Sequence, residues 1–324
     1  MTAEADFAYL HTLAVDEDDH RLLDRIAVDR ARILAGGPPP TDDGRPVLKL
    51  KVPDERRSWP GGPIDGRSNP TRPGASPPES DRSDPITAGP RRTIISRPAP
   101  SRTLLITLNP GLAPATVDTI VEIFRDRLHA RLPGFRGEGG GTVVDLGANE
   151  GFYTLLLKRL NPGLRLVAAE PLEENYELFK ANLEANGIEG VEARRVAVTD
   201  REGTVNLESY PGVGTVASTD MLAFPRPWIR REAVVRRTVS STTLPALLER
   251  AGVAEAEILK LDVEGSETAI LKAAGKTLRR FRRVVVECHG VAARRECRSI
   301  LENSGFRLLW AEEKRSGDLY FDRR

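Results

Sequence analysis

Hydrophobic positions follow two periods along the chain, and the changes between them predict the order of its elements. Apolar side chains recur at helical spacing over residues 117–128, with Pro114 suited to the first turn of that helix. Residues 18–35 show a similar helical spacing. From residue 142 onward, short apolar runs alternate with amphipathic stretches, which indicates strands alternating with helices.

This alternation predicts an α/β domain whose sheet is mostly parallel and covered by helices on both faces. The expected strands are 142–146, 165–170, 191–198, 257–263 and 284–288, and the expected helices are 150–160, 173–186, 265–279 and 291–304. The runs 306–310 and 318–321 predict a C-terminal antiparallel hairpin, which completes a seven-stranded sheet. Residues 205–240 are interpreted as a less regular insertion.

Composition divides the chain into three segments. Residues 1–36 are a helical segment, residues 37–102 are rich in proline and glycine, and residues 103–324 hold the α/β pattern. The middle segment holds 15 of the 24 prolines, so we expect it to be irregular or disordered, with pieces such as 47–51 draping over the domain. The first segment is either a tail helix docked on its own domain or an arm for homo-oligomers.

Charge and cysteine content exclude several classes of protein. The 48 basic and 47 acidic residues leave a net charge of +1, which provides no general attraction for nucleic acid or an anionic membrane. Two cysteines are too few for a disulfide framework. The N-terminus does not resemble a signal peptide, and no apolar run approaches the roughly 18 residues of a membrane span. We therefore expect a cytoplasmic protein with no nucleic-acid partner.

A nucleoside-binding pattern occupies residues 142–151, which read Thr-Val-Val-Asp-Leu-Gly-Ala-Asn-Glu-Gly. A second apolar run follows and ends at Glu170. A strand, a glycine turn, a helix and a second strand ending in a carboxylate form a unit that binds adenine nucleosides. The G-x-x-x-G spacing of Gly147 and Gly151 disfavours a dinucleotide, and with it a nicotinamide-dependent oxidoreductase. It favours S-adenosylmethionine, which has no phosphate to bind.

Each candidate cofactor residue has a functional and a plainer interpretation. Glu170 accepts hydrogen bonds from both ribose hydroxyls, or it is a solvated strand end. Asp145 faces the methionine ammonium group or braces the loop, and Asn149 contacts the methionine carboxylate or caps the helix. Asp200 contacts the adenine amine or forms a turn. Gly147 permits the backbone turn, and we expect Gly151 to bring the helix start close to the ligand.

A second charged motif covers residues 258–267, Ile-Leu-Lys-Leu-Asp-Val-Glu-Gly-Ser-Glu. Lys260 and Asp262 lie two apart on a strand and therefore share a face. The next strand ends in Glu287-Cys288-His289, which brings a carboxylate and an imidazole to the same edge of the sheet. The motif forms either a polar pocket for a substrate hydroxyl or a salt-bridge network between strand and helix.

Together the two motifs resemble the FkbM family of S-adenosylmethionine-dependent methyltransferases. The resemblance is carried by Val144–Tyr153, Ala169–Pro171 with Asn175, Lys260–Glu267 and Val286–His289, and it covers roughly residues 110–324. It implies a Rossmann-like class I methyltransferase fold. It also implies methylation of an oxygen on a natural product, a sugar or a lipid-linked glycan.

We therefore expect a small-molecule or glycan O-methyltransferase. Asp262 or His289 would take the proton of the acceptor hydroxyl, Lys260 would orient the hydroxyl or stabilise its developing negative charge, and Glu264 would hold the geometry together with Glu287. No metal ligands are assigned, although Asp262, Glu264, Glu287 and His289 offer a less favoured alternative as ligands of Mg²⁺ or Mn²⁺.

Two further expectations concern the surroundings of this site. The insertion at 205–240 combines aromatic residues with arginines, so we interpret it as a cap on the acceptor side, with an ordinary solvated surface as the alternative. The competing function is a non-catalytic binding or scaffold protein that retains the fold.

Overall fold

A computed structural model describes residues 47–51, 103–107, 119–120, 122–124, 126–210, 213–218, 234–314 and 317–324, with only the backbone for 47–51 and 213–218. The strands are β1 Val47–Lys51, β2 Thr103–Thr107, β3 Thr142–Leu146, β4 Arg165–Ala169, β5 Val191–Arg194, β6 Ala197–Thr199, β7 Gly203–Tyr210, β8 Val213–Ser218, β9 Val235–Thr243, β10 Ala256–Leu261, β11 Phe281–Cys288, β12 Phe306–Ala311 and β13 Gly317–Arg323. The helices are α1 Phe152–Leu160, α2 Glu173–Ala185, α3 Leu244–Arg250, α4 Glu267–Ala274 and α5 Val291–Asn303, with a 3₁₀ helix at Gly275–Arg280. The predicted helix at 18–35 lies outside the described residues.

The predicted seven-stranded sheet is confirmed, with strand order β12-β13-β11-β10-β3-β4-β5. β13 runs antiparallel to both of its neighbours, whereas the pairs from β11 to β5 are parallel. The chain proceeds from β3 outward in one direction and returns at β10 to build the other half. The carboxyl ends of β3 and β10 therefore meet where the strand order reverses, which is where open α/β sheets bind ligands.

The strands at the centre of the sheet are buried on both faces because helices cover each side. Val143 and Val144 of β3 point to opposite faces, and both are inaccessible to solvent. One large hydrophobic cluster joins β10 and β11 to α3, α4 and α5. None of the described helices has both the length and the apolar character needed to cross a membrane.

Three predicted elements differ from the structure. The expected strand 191–198 is broken after Arg194, so that β5 belongs to the central sheet and β6 to a second sheet of order β6-β9-β7-β8. This second sheet supplies regular structure at both ends of the insertion at 205–240. Its strands are hard to recognise in the sequence because four successive residues of β9, 235–238, are exposed and carry no core-facing alternation. The expected helix 265–279 changes to a 3₁₀ helix at Gly275, where φ is 48°.

One part of the proline-rich segment is regular. β1 pairs with β2 in an antiparallel ladder that runs from Val47–Thr107 to Lys51–Thr103. β2 is held to α2 by side-chain amides, since Leu105 N donates to Asn186 Oδ1 at 2.9 Å and Thr107 N donates to Asn182 Oδ1 at 2.7 Å. The Nδ2 group of Asn182 in turn donates to the carbonyl of Glu150 at 2.9 Å, which connects β2 to the glycine turn.

The turn after β3 lies against the end of β10. Asp262 N donates to Leu146 O at 3.1 Å, and Gly147 has a left-handed backbone with φ of 73°. A Cβ atom at position 147 would lie 1.7 Å from the carbonyl oxygen of Asp262. Only glycine allows the two backbones to approach this closely.

We predict that Gly147→Ala destabilises the protein more than Gly187→Ala does. Both positions have positive φ, but Cβ at Gly187 (φ 58°) would have no atom within 4 Å. Gly187→Ala should therefore cost about 1–2 kcal/mol of unfolding free energy from backbone strain alone. Gly147→Ala should cost at least about 2 kcal/mol more because β3 and β10 must also separate. Urea unfolding followed by circular dichroism measures both values, and equal losses would contradict the steric explanation.

Candidate functional site

A cleft opens beyond the carboxyl ends of β3, β4 and β10. The space inside it is about 620 Å³, part of which is open solvent at its mouth. Its walls come from the glycine turn, from the end of β4, from β6 with its lead-in, from β7, and from the loop after β10. The lining residues are Gly147, Asn149, Ala169, Glu170, Pro171, Asn175, Val196, Ala197, Val198, Thr199, Leu207, Asp262, Val263, Glu264 and Ser266.

Glu170 stands at the end of β4 with its carboxylate held on two sides. Oε2 accepts from Asn149 N at 2.9 Å, and Oε1 accepts from Leu172 N at 2.9 Å. Burial raises the pKa of Glu170 to about 7 despite these hydrogen bonds. The carboxylate therefore connects the glycine turn to α2 and changes its charge near neutral pH.

Asn149 and Gly147 form the part of the glycine turn that faces the cleft. Asn149 has a left-handed backbone with φ of 51°, an uncommon conformation for a residue other than glycine. Its side-chain oxygen is buried and accepts no hydrogen bond from the described residues. Because unsatisfied buried acceptors are costly, this oxygen is a natural contact for a polar ligand.

Gly151 allows α1 to begin close to α2. Its φ is 86°, and a Cβ atom there would lie 2.0 Å from Cδ2 of Phe179. Gly151 is not among the residues that line the cleft. Close packing of α1 on α2 therefore requires glycine at this position.

Asp145 and Lys260 lie beneath the glycine turn, away from the cleft lining. Lys260 Nζ donates to the carbonyls of Gly147 at 2.7 Å and Leu146 at 3.3 Å, and it pairs with Asp145 Oδ1 at 3.2 Å. Asp145 Oδ2 accepts from Thr154 Oγ1 at 2.9 Å. Burial alone would lower the pKa of Lys260, but Asp145 and neighbouring carboxylates raise it above its usual value. The pair thus braces the loop, which is the plainer interpretation of Asp145.

Asp200 lies outside the cleft. Its side chain is about half exposed, and Arg201 Nη1 is 3.9 Å away. The preceding residue, Thr199, lines the cleft instead. Asp200 therefore has the position of a turn residue.

Asp262 and Glu264 leave the end of β10 and face a pair of histidines. His289 follows β11, with Nδ1 2.8 Å from Glu267 Oε1 and Nε2 3.2 Å from Glu264 Oε2. His129 places Nε2 3.5 Å from Asp262 Oδ2. Glu287 bridges the two rings, since Oε2 is 3.8 Å from His129 Nε2 and Oε1 is 4.0 Å from His289 Nε2.

His129 and its partner Asp318 are not among the site residues that the sequence predicts. The helical pattern extends to Leu128, but Arg127 and His129 have positive φ values of 56° and 63°, so the chain turns there. Asp318 of β13 holds His129 through Nδ1 and the backbone N–H, both at 2.9 Å. The available signal was that the chain has only four histidines and that one precedes the glycine-rich lead-in to β3.

In this cluster, the pKa of each group depends on burial and on the charges of its neighbours. Burial alone would lower the pKa values of His129 and His289, but neighbouring carboxylates, foremost Asp318 and Glu267, raise both to about 10. Burial favours protonated Asp262, but Lys260 and His129 hold the pKa of Asp262 below its usual range. Burial and the charge of Asp262 raise the pKa of Glu287 to about 8. Neither Asp262 nor His289 therefore has the near-neutral pKa expected of a simple general base.

We predict that Lys260→Met lowers the unfolding free energy by about 3–5 kcal/mol, because it leaves Asp145 as a buried charge without its cation. Lys272→Met is the matched control, since Lys272 pairs with Glu296 on an exposed helix surface and should contribute less than about 1 kcal/mol. Chemical denaturation measures both variants. A Lys260→Met protein as stable as Lys272→Met would contradict the bracing role.

Several known proteins similar to this chain are named as methyltransferases. The sequence profile described as "Methyltransferase FkbM domain" matches residues 145–308, about half of the chain. The methyltransferase sdnD of Sordaria araneosa is 27% identical over 224 residues, which are 60% of this chain and 85% of that protein. The 31-O-demethyl-FK506 methyltransferase FkbM of Streptomyces tacrolimicus is 27% identical over 215 residues, which are 58% and 80% of the two chains.

Two more distant similarities were found. The 2-O-methyltransferase NoeI of Sinorhizobium fredii is 20% identical over 170 residues, which are 50% of this chain and 68% of that protein. Among solved structures, the precorrin-6y C5,15-methyltransferase of Geobacter metallireducens aligns with a TM-score of 0.34 and 13% identity, over 56% of this chain and 78% of that one.

The family profile covers both motifs that shape the cleft, the glycine turn with Glu170 and the charged string from Lys260 to Glu267. The order of the seven strands is that of the Rossmann-like class I fold. The chain belongs to the FkbM family of S-adenosylmethionine-dependent methyltransferases.

Proposed function

We propose that this protein transfers a methyl group from S-adenosylmethionine to a hydroxyl oxygen of a small molecule, such as a natural product or a sugar. The observation that carries the proposal is that Asp262 and Glu264 line the same cleft as Glu170 and the glycine turn. Hydrogen-bond acceptors for a hydroxyl group are thus next to the proposed nucleoside site. The names of two relatives, a 31-O-demethyl-FK506 methyltransferase and a 2-O-methyltransferase, support oxygen as the acceptor atom.

The chemistry of the lining fits S-adenosylmethionine. Glu170 would accept hydrogen bonds from the ribose hydroxyls, and Asn149 would use its unpartnered side-chain oxygen toward the amino-acid end. Val198 and Leu207 supply apolar surface for the adenine ring, with Thr199 at its edge. Asp200 has no place in this proposal because its side chain does not reach the cleft.

The acceptor would lie on the side of Asp262 and Glu264. When bound, the cofactor would supply an activated methyl group to the acceptor oxygen, with the electrons of the broken carbon–sulfur bond kept by sulfur. Asp262 and Glu264 would orient the hydroxyl by accepting its hydrogen bond. The hydroxyl proton would pass toward these two carboxylates. His289 would act as a positioning residue through Glu264, and Lys260 would hold the turn rather than touch the acceptor.

The insertion at 205–240 remains our proposed acceptor-side cap. Its strand β7 contributes Leu207 to the cleft wall on the side proposed for the adenine ring, so an acceptor contact would come from the rest of the insertion. The aromatic residues Phe224 and Trp228, which suggested a sugar or an anionic acceptor, lie outside the described residues.

The proposal is tested with S-adenosylmethionine carrying a labelled methyl group and a panel of hydroxylated acceptors. The panel contains monosaccharides, glycosides and macrolide alcohols, each paired with its O-methylated analogue. We expect label in alkali-stable ether products of at least one alcohol and none with the blocked analogue. Transfer only to nitrogen or carbon would contradict O-methylation. Tight cofactor binding without any transfer would favour the scaffold alternative.

We also predict that cofactor affinity rises with pH because of Glu170. Ribose hydroxyls donate to the ionised carboxylate, so binding is favoured above pH 7 and weakens as Glu170 is protonated below it. The ionised fraction rises from roughly a tenth at pH 6 to nine tenths at pH 8, so the Kd of S-adenosylhomocysteine should fall about tenfold. Isothermal titration calorimetry across this range measures the change.

Two variants serve as controls for this pH dependence. Glu170→Gln should bind about 10–100-fold more weakly at pH 8 and should lose the dependence on pH. Asp200→Asn removes a carboxylate outside the cleft and should follow the wild-type curve. A pH dependence that persists in Glu170→Gln would assign it to another group.

A further inference from the structure

We propose that His129, Asp262 and Glu287 beside the cleft form a binding site for a divalent transition-metal cation, for which Mn²⁺ is a suitable probe. The ligand atoms would be Nε2 of His129 and one carboxylate oxygen each of Asp262 and Glu287. The binding itself requires no acceptor, whereas its use in turnover rests on the function proposed above.

The distances within the cluster fit a coordination sphere. His129 Nε2 has its nearest carboxylate oxygens at 3.5 Å (Asp262) and 3.8 Å (Glu287), and the corresponding distances of His289 Nε2 are 3.2 Å (Glu264) and 4.0 Å (Glu287). Charged hydrogen bonds are usually shorter, about 2.7–2.9 Å. Ligand atoms around a cation with bonds of about 2.1 Å are separated by about 3.0–4.2 Å in octahedral geometry.

Asp262 belongs to two overlapping groups of ligand atoms. His129, Asp262 and Glu287 bring one ligand atom each within 4.8 Å of one another, and so do Asp262, Glu264 and His289. In the second group, His289 and Glu264 lie within hydrogen-bonding distance of each other, at 3.2 Å. The first group is therefore the better match to a metal site.

Both imidazoles are held in the orientation that metal-binding histidines adopt. Nδ1 of His129 lies 2.9 Å from Asp318, and Nδ1 of His289 lies 2.8 Å from Glu267; both of these carboxylate side chains have no solvent exposure. A ring that donates from Nδ1 to a carboxylate can ligate a metal through Nε2 once the metal displaces the Nε2 proton. His129 is itself only 1% exposed, and its Nε2 atom is directed at Asp262 and Glu287 beside the cleft. The pairing occurs twice, on two different parts of the chain.

The balance of charge also favours a cation. The site collects six carboxylate side chains, which are Asp145, Asp262, Glu264, Glu267, Glu287 and Asp318. Among the described residues, the ion pairs of these carboxylates are with Lys260 and the two imidazoles. Negative charge in a desolvated region is costly unless it is compensated. A divalent cation that displaces the Nε2 proton of His129 would still add one net positive charge to the region.

The donor set indicates the class of metal. Mg²⁺ prefers oxygen ligands and retains waters, whereas imidazole nitrogen mixed with carboxylates suits Mn²⁺, Fe²⁺ or Zn²⁺. Asp262 and Glu264 also line the cleft, so open coordination positions would face it. A cation there would offer a Lewis acid to the acceptor oxygen.

The test is a titration of the full-length, EDTA-treated protein with Mn²⁺ at constant pH, without cofactor or acceptor. Electron paramagnetic resonance of free Mn²⁺ counts the bound ions. We expect one equivalent to bind with micromolar affinity and to be displaced by Zn²⁺ more effectively than by Mg²⁺. If Mn²⁺ binding does not saturate, these side chains form only a closed network of ion pairs, and the proposal is overturned.

Isosteric variants locate the site. Glu287→Gln and Asp262→Asn change partly exposed side chains and should weaken Mn²⁺ binding at least tenfold, while circular dichroism confirms their fold. Glu302→Gln removes a carboxylate near the opposite end of α5 from His289 and should bind Mn²⁺ within twofold of wild type. Equal binding by Glu287→Gln and wild type would contradict the assignment. Mn²⁺ binding without any methyl transfer would keep the site and reject the proposed function.

Discussion

The buried ammonium group of Lys260 is the interaction on which the rest of the site depends. It stands at the end of β10 and donates to two carbonyls of the neighbouring β3 and its turn, while it pairs with Asp145. A tight glycine turn directs carbonyl groups toward the interior, where they need donors. Lys260 supplies these donors from the adjacent strand, and Gly147 allows the backbone of Asp262 to come into contact. The glycine turn and the charged string from Lys260 to Glu267 are therefore one structural unit rather than two neighbouring motifs.

Backbone strain in the described residues is concentrated around this unit. The residues other than glycine with positive φ are Arg127, His129, Asn149 and Glu264. Asn149 and Glu264 line the cleft, and His129 contacts Asp262. Such conformations persist when surrounding contacts outweigh their cost, and they concentrate at functional sites. Here they direct one amide, one carboxylate and one imidazole toward a common region.

The fold was largely predictable from the sequence because strands that are buried on both faces read as short apolar runs between amphipathic helices. β3, β4, β10 and β11 are such strands, and their order follows from the alternation with helices. β9 was not predictable because its first half is exposed. The break between β5 and β6 lies at Arg194-Arg195, which interrupts the alternation of apolar and charged residues within the predicted strand. Glu170 and Asp262 were found because each follows a recognisable strand. His129 and Asp318 were not found because their contact joins positions 189 residues apart, and one of them follows a helix whose end the hydrophobic pattern did not show.

The position of β13 has a consequence for the order in which the site assembles. This strand follows β12 in the chain but lies between β12 and β11, and it carries the carboxylate that holds His129. During synthesis on the ribosome, the glycine turn, β10 and β11 all emerge before Asp318 does. A nascent chain can thus form the nucleoside side of the cleft early, but His129 acquires its orientation only when β13 inserts between two strands that have already been synthesised. The orientation of His129 is in this sense a later step of folding than the nucleoside side of the cleft.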